Sequence, residues 1–233
     1  MKYSEAVILC GGAGTRLATV LPGRQKTLAE VRGVPVLRMV VEFLFAQEFR
    51  RIVLAAGFYG NQVREYARTI PLSGDCEIIV SEEPEPLGTG GAIRRALLHV
   101  HSPYFLAING DCFFRAIDFS AALERHLVTG AAVTLVAVKP RAEKDYGVVT
   151  ITSDGRAFFR EKEGVGDFMS AGAYWISRDA IAAVAEEKFS IEKDFFPALA
   201  ATGRLYGFPC AGEVHDIGTP ERYLRANGDT PFI

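Results

Sequence analysis

The sequence has no surplus of either charge, no clustered cysteines and no long apolar run, and each absence removes a class of protein. Lys and Arg number 26 against 28 Asp and Glu, a net charge of −2. No broad basic field exists to hold a nucleic-acid backbone, so no nucleic-acid partner is expected and any phosphate chemistry must rest on local cations. Cys10, Cys76, Cys112 and Cys210 are scattered, with no C-x-x-C pair. That spacing argues against a zinc site or a disulfide framework and suits a reducing cytoplasm. No apolar run reaches membrane-spanning length, and residues 7–9 are too short a stretch for a signal-peptide core, so no membrane partner is expected. Internal repeats, low-complexity tracts and an obvious linker are also missing. One globular domain over residues 1–233 is the simplest account of 49% hydrophobic and 23% charged residues.

What is present is an alternation of strand and helix patterns. Residues 6–10, 52–56, 76–80 and 105–108 read as buried strands. Val36, Leu37, Val40, Val41, Leu44 and Phe45 recur at helical spacing, residues 61–68 read as a short helix, and Ala92, Ile93, Ala96, Leu97 and Val100 mark another. The alternation predicts an α/β fold: a Rossmann-like, mostly parallel mixed sheet with helices on both faces, in three layers. After residue 115 the pattern becomes β-rich. Residues 132–138, 148–151, 157–160, 171–176, 205–208 and 214–217 read as strands, with a hairpin turn at Ser153-Asp154-Gly155. Helices are expected near 178–187 and 191–201, one over 119–129 capped by Asp118, and a last one entered through Thr219 and Pro220.

The densest motif is Leu9-Cys10-Gly11-Gly12-Ala13-Gly14-Thr15-Arg16-Leu17, with Lys26 following. Glycines directly after a strand let the backbone turn sharply and bring its N–H groups close to phosphate oxygens. Arg16 adds a planar cation and Lys26 a compact one. A Walker A loop needs Gly-Lys-Ser/Thr, and here Thr15-Arg16 follows Gly14. A dinucleotide fingerprint needs a third glycine where Leu17 stands, which removes a dinucleotide-dependent oxidoreductase. A second motif, Glu83-Pro84-Glu85-Pro86-Leu87-Gly88-Thr89-Gly90-Gly91-Ala92, sets a rigid approach and then opens a helix at the carboxyl rim of the strands, where ligands of such sheets bind. Asp111, in Asn109-Gly110-Asp111, and Asp216, in His215-Asp216-Ile217-Gly218-Thr219, are candidate Mg²⁺ ligands, because that ion takes one or two carboxylates plus substrate phosphates and water.

Gly-Gly-x-Gly-Thr-Arg-Leu followed by a lysine resembles the signature of the sugar-1-phosphate nucleotidyltransferases, and the resemblance runs over nearly the whole chain. It implies that Leu9, Gly11, Gly12, Gly14 and Thr15 meet the triphosphate, with Arg16 and Lys26 on its phosphates. It implies that Glu83, Pro86, Leu87, Gly88, Thr89, Asn109 and Gly110 lie against the nucleotide. Tyr146, Gly147, Glu161, Lys162 and Gly172 would form the sugar-phosphate pocket, with Lys162 on the sugar phosphate, and Asp111 and Asp216 would hold Mg²⁺. Residues 1–115 then form the nucleotide half and residues 116–233 the sugar-phosphate half. One departure stands out: the family's Pro-Lys-Pro is Gln25-Lys26-Thr27 here.

The nearest branch in pattern uses GTP to activate a heptose or mannose 1-phosphate. The implied reaction makes a nucleotide sugar and pyrophosphate, as in lipopolysaccharide, capsule or S-layer glycan synthesis. Uridylyl or cytidylyl transfer to another sugar 1-phosphate (mannose, glucose or N-acetylmuramate) stays open. So does a catalytically silent binding subunit, although such a subunit has no need of the two aspartates. The resemblance leaves room for a homodimer. No left-handed β-helix, and so no acetyltransferase activity, is expected after the terminal helix.

Overall fold

Apolar runs and helical stripes alternate here because a parallel strand can be rejoined only by a crossover that covers one face of the sheet. The computed structural model describes residues 5–71, 75–140, 145–160 and 166–228. In chain order the first half holds β1 (Glu5–Leu9), β2 (Glu30–Val31), β3 (Val34–Pro35), α1 (Val36–Ala46), β4 (Arg51–Ala56), α2 (Gly60–Ala67), β5 (Glu77–Glu82), α3 (Gly88–Ala96), β6 (Tyr104–Asn109) and β7 (Cys112–Arg115). The second half adds α4 (Phe119–Thr129), β8 (Val133–Val138), β9 (Val148–Ile151), β10 (Ala157–Arg160), β11 (Phe168–Ser177), α5 (Arg178–Ala182), α6 (Phe196–Ala201), β12 (Leu205–Pro209), β13 (Glu213–Asp216) and α7 (Pro220–Asn227).

One mixed nine-stranded sheet takes strands from both halves, in the order β10-β9-β11-β6-β1-β4-β5, with β8 on β11 and β12 on β8. Its centre is parallel: β1 pairs with β4 and β6, and β4 with β5. Successive residues of β1 point to opposite faces. Ala6 and Ile8 join one buried cluster with Val36, Leu37 and Val40 of α1, while Val7 joins another with Ile93 and Ala96 of α3 and Phe196 of α6. Both faces are therefore covered, giving the expected helix–sheet–helix layering. No described helix is long and apolar enough to cross a membrane.

The strand expected over residues 214–217 forms as β13, which pairs antiparallel with β7, a strand the pattern did not signal, in a ribbon outside the main sheet. Two expectations change in the structure. The helix expected over 178–187 ends at Ala182, because the chain must extend to reach α3: Phe189 N donates to Leu87 O, and Phe189 O accepts from Gly90 N and Gly91 N. The helix expected from residue 191 opens with a wide π turn over Ile191–Phe195 and becomes α-helical at α6, where Pro197, lacking an N–H, sits in the first turn.

Candidate active site

The glycine loop leaves β1 at the carboxyl rim, and its glycines serve different needs. A Cβ on Gly11 would lie 2.7 Å from Glu83 Oε1, so the missing side chain makes room for that carboxylate. Gly12 faces open space. Gly14 has φ of 61° and stands over the Lys26 stem, 3.3 Å from its Cβ, a backbone conformation that disfavours a side chain. Arg16 follows with its side chain 56% exposed.

Lys26 is framed by amide chemistry in place of proline. Gln25 is 1% exposed. Its Nε2 donates to Cys10 O at the end of β1, and its Oε1 accepts from Thr27 N at 2.5 Å and Thr27 Oγ1 at 2.6 Å. Gln62 Oε1 accepts from Gln25 N, while Gln62 Nε2 donates to Gly23 O, both at 2.8 Å. Lys26 Nζ then reaches Asp111 Oδ2 at 2.7 Å. Burial pulls the ammonium down, but Asp111 outweighs it and leaves the pKa above the usual lysine value. The neighbouring Cys10 thiol is pushed up to about 12 by burial, which keeps it unreactive.

The β7–β13 ribbon brings the two candidate metal ligands together. Cys112 sits opposite Asp216 in register, and Ile217 N donates to Asp111 O at 3.1 Å. A Cβ on Gly218 would lie 2.8 Å from Asp216 Oδ1, 3.6 Å from Arg16 Nη2 and 3.9 Å from Asp111 Oδ2, so these three side chains gather around one glycine. Asp216 accepts from Arg222 Nη1 on both oxygens, at 2.9 and 3.2 Å. Arg222 Nη2 also pairs with Asp145, whose other oxygen holds Arg16 Nη1 at 3.2 Å. Burial lowers the Arg222 pKa, but Asp216 and Asp145 together raise it more, so the guanidinium is held charged. Three carboxylates, Asp111, Asp145 and Asp216, are thus matched by Lys26, Arg16 and Arg222. Among the described residues no cluster of three or more metal-ligating side chains occurs. A pair of carboxylates at an open rim instead fits Mg²⁺ that completes its shell with phosphate and water.

These groups line one cavity of about 830 Å³. Leu9, Gly11, Gly12, Glu83, Pro86, Gly88, Thr89, Asn109, Tyr146, Gly147 and Gly172 line it, together with Arg16, Lys26, Asp111 and Asp216. Glu83 Oε2 accepts from Leu87 N at 2.8 Å. Burial raises its carboxyl pKa, against that hydrogen bond.

The sequence of this chain matches the nucleotidyl transferase family over residues 5–231. It is 34% identical over 226 residues to the D-glycero-α-D-manno-heptose 1-phosphate guanylyltransferase of Aneurinibacillus thermoaerophilus, covering 95% of this chain and 96% of that protein. This chain belongs to the nucleotidyl transferase family. It is also 31% identical to the mannose-1-phosphate guanylyltransferase catalytic subunit beta of Drosophila pseudoobscura pseudoobscura, of whose length it spans 61%. Its fold matches HddC from Yersinia pseudotuberculosis, solved in complex with GMP-PN, with a TM-score of 0.84 at 30% identity, over 96% of this chain and 98% of that one.

Within the family's signature motifs, some residues stand behind the cavity. Gly14 and Thr15 line a smaller adjoining hollow of about 200 Å³. Leu87 is buried. Gly110 is packed so closely that a Cβ would meet Leu9 O at 2.8 Å and Thr27 Cγ2 at 3.0 Å. The glycines of the second motif answer to the chain segment above them: a Cβ on Gly90 would enter the Phe189 ring at 2.1 Å, and one on Gly91 would meet Glu187 O at 2.6 Å. A Cβ on Gly172, at φ 69°, would strike the Asn109 amide at 2.6 Å. Glu161 and Lys162 lie outside the described residues. Sequence reasoning missed Asp145, Arg222 and Glu192, all of which line the cavity. Arg222 carried a signal, standing three residues after the cap Thr219, whose hydroxyl accepts from Arg222 N.

Proposed function

We propose that this nucleotidyltransferase joins GTP to D-glycero-D-manno-heptose 1-phosphate, releasing pyrophosphate. The observation that carries the reading is the pairing of Asp111 with Lys26 and of Asp216 with Arg222 beside an open glycine loop. Both substrates are anions, so the main barrier is bringing like charges together, and a rim of cations lowers it. The sugar phosphate oxygen attacks the α-phosphorus in line; the bond to the β-phosphate breaks and its electrons leave with pyrophosphate. Arg16 is exposed enough to exchange Asp145 for the departing pyrophosphate, and Lys26 stands between the loop and Asp111 to meet the triphosphate. Asp111 and Asp216 would hold Mg²⁺, which when bound neutralises phosphate charge at the reacting centre.

The preference for guanine rests on Glu83. Glu83 lines the cavity, and its Oε1 packs beside Gly11 and Gly57 with no hydrogen-bond donor on it among the described residues. A carboxylate there accepts from the N1–H and exocyclic amine of guanine, a pair that uracil, cytosine and adenine do not offer. The heptose is supported by the Aneurinibacillus relative, which matches over 95% of this chain and 96% of its own length. Pyrophosphate release from four NTPs against heptose, mannose, glucose and N-acetylmuramate 1-phosphates tests the reading. GTP with the heptose 1-phosphate should give the highest kcat/KM, and absence of pyrophosphate with every pair would refute it.

A further inference from the structure

Among the described residues, not every carboxylate that lines the cavity is balanced by a cation. Lys26, Arg16 and Arg222 gather at the aspartates, whereas Glu192 lines the same cavity with no cation on it among the described residues. Its Oε2 accepts from Thr89 Oγ1 at 2.7 Å and from Ser190 Oγ at 3.1 Å. Thr89 Oγ1 in turn accepts from Ile191 N at 2.9 Å, which leaves its proton for Glu192. One oxygen is therefore fixed by two hydroxyls, and the other, Oε1, has no donor among the described residues.

A carboxylate inside an anion-binding cavity repels phosphate, and its complement is a neutral donor-bearing part of the ligand. Tyr174 and Ser170 continue the lining with hydroxyl groups. Burial pushes the Tyr174 pKa well above the usual tyrosine value and Glu192 adds to it, so the phenol stays protonated. Resting on the proposed sugar 1-phosphate chemistry, we infer that Glu192 is a specificity-determining residue whose free oxygen accepts a hydrogen bond from a ring hydroxyl. That contact fixes the orientation of the sugar ring in the cavity. Thr89, from the nucleotide motif, becomes the support of a sugar contact.

Binding of α-D-mannose 1-phosphate and its 2-, 3-, 4- and 6-deoxy counterparts, measured by calorimetry on the full chain, tests this independently of turnover. Glu192→Gln and Glu192→Ala should weaken mannose 1-phosphate about tenfold to a hundredfold, the cost of one charge-assisted hydrogen bond. The GTP Kd should stay within twofold. One deoxy sugar should bind the parent weakly yet lose nothing further in Glu192→Ala. Equal losses for GTP and sugar, or a deoxy pattern identical in parent and variants, overturns the assignment. Failure of the proposed reaction would show separately, as a parent that binds the sugar without releasing pyrophosphate.

Discussion

Replacing Gln25 by alanine separates the aim of Lys26 from its charge. The amide is fully buried and joins three points: Cys10 O at the end of β1, Thr27 N and Thr27 Oγ1. Its removal orphans two buried backbone groups, at about 1–3 kcal/mol each. The fold should therefore lose roughly 2–6 kcal/mol, seen as a lower urea midpoint. Lys26 keeps its charge but loses the frame that sets its 2.7 Å contact with Asp111, and a displacement of about 1 Å costs on the order of a hundredfold in rate. The Gln25→Glu variant keeps the acceptor but cannot donate to Cys10 O, so it should slow turnover similarly. Gln25→Pro combined with Thr27→Pro restores rigidity through fixed φ angles and should recover part of kcat, although Gln62 Oε1 then loses the Gln25 N–H it accepts. The assay is pyrophosphate release per folded molecule. A Gln25→Ala enzyme with kcat within twofold of the parent, or a proline-framed enzyme no faster than Gln25→Ala, refutes the reasoning.

Arg16→Ala should cut kcat about 10²–10³-fold with the unfolding midpoint unchanged, because its pair with Asp145 is solvent-exposed and contributes little to stability; near-parental turnover contradicts its role. Gly218→Ala places a Cβ 2.8 Å from Asp216 Oδ1 and should raise the Mg²⁺ concentration for half-maximal rate about tenfold, whereas an unchanged Mg²⁺ requirement argues against metal binding there. His126 is buried between Thr134 Oγ1 and Ser177 Oγ, and burial pulls its pKa from 6.5 down to about 4. Below pH 6.5 the unfolded chain takes up a proton that the folded chain refuses. The stability present above that pH is therefore lost as pH falls toward 4, by about 3 kcal/mol in full. Urea midpoints from pH 7.5 to 4.5 should fall less steeply in His126→Gln, and parallel slopes would contradict this.

The sheet centre was legible because parallel strands buried on both faces, such as Ile52 to Ala56, must be apolar without interruption. The glycine loop, Arg16, Lys26 and both aspartates were legible as motifs, since short-range backbone demands leave short-range patterns. The ribbon was not, because Cys112–Arg115 follows directly on Asp111 and pairs with residues about a hundred positions away. Asp145 and Arg222 carry their meaning only as partners across 77 residues. Gly90 and Gly91 looked like a ligand approach but admit Phe189 and Glu187, a packing need that no local pattern encodes. Glu192 read as an ordinary residue at a helix start, and only its position in the cavity lining distinguishes it.

The convergence of Asp111 and Asp216 on one polyphosphate-bound ion is tested most directly by crystals grown with a non-hydrolysable GTP analogue and Mn²⁺. The account predicts an anomalous peak between the two carboxylates, with Lys26 moved from Asp111 onto phosphate. An ion held elsewhere, with the Lys26–Asp111 and Arg222–Asp216 pairs undisturbed by bound nucleotide, would contradict it.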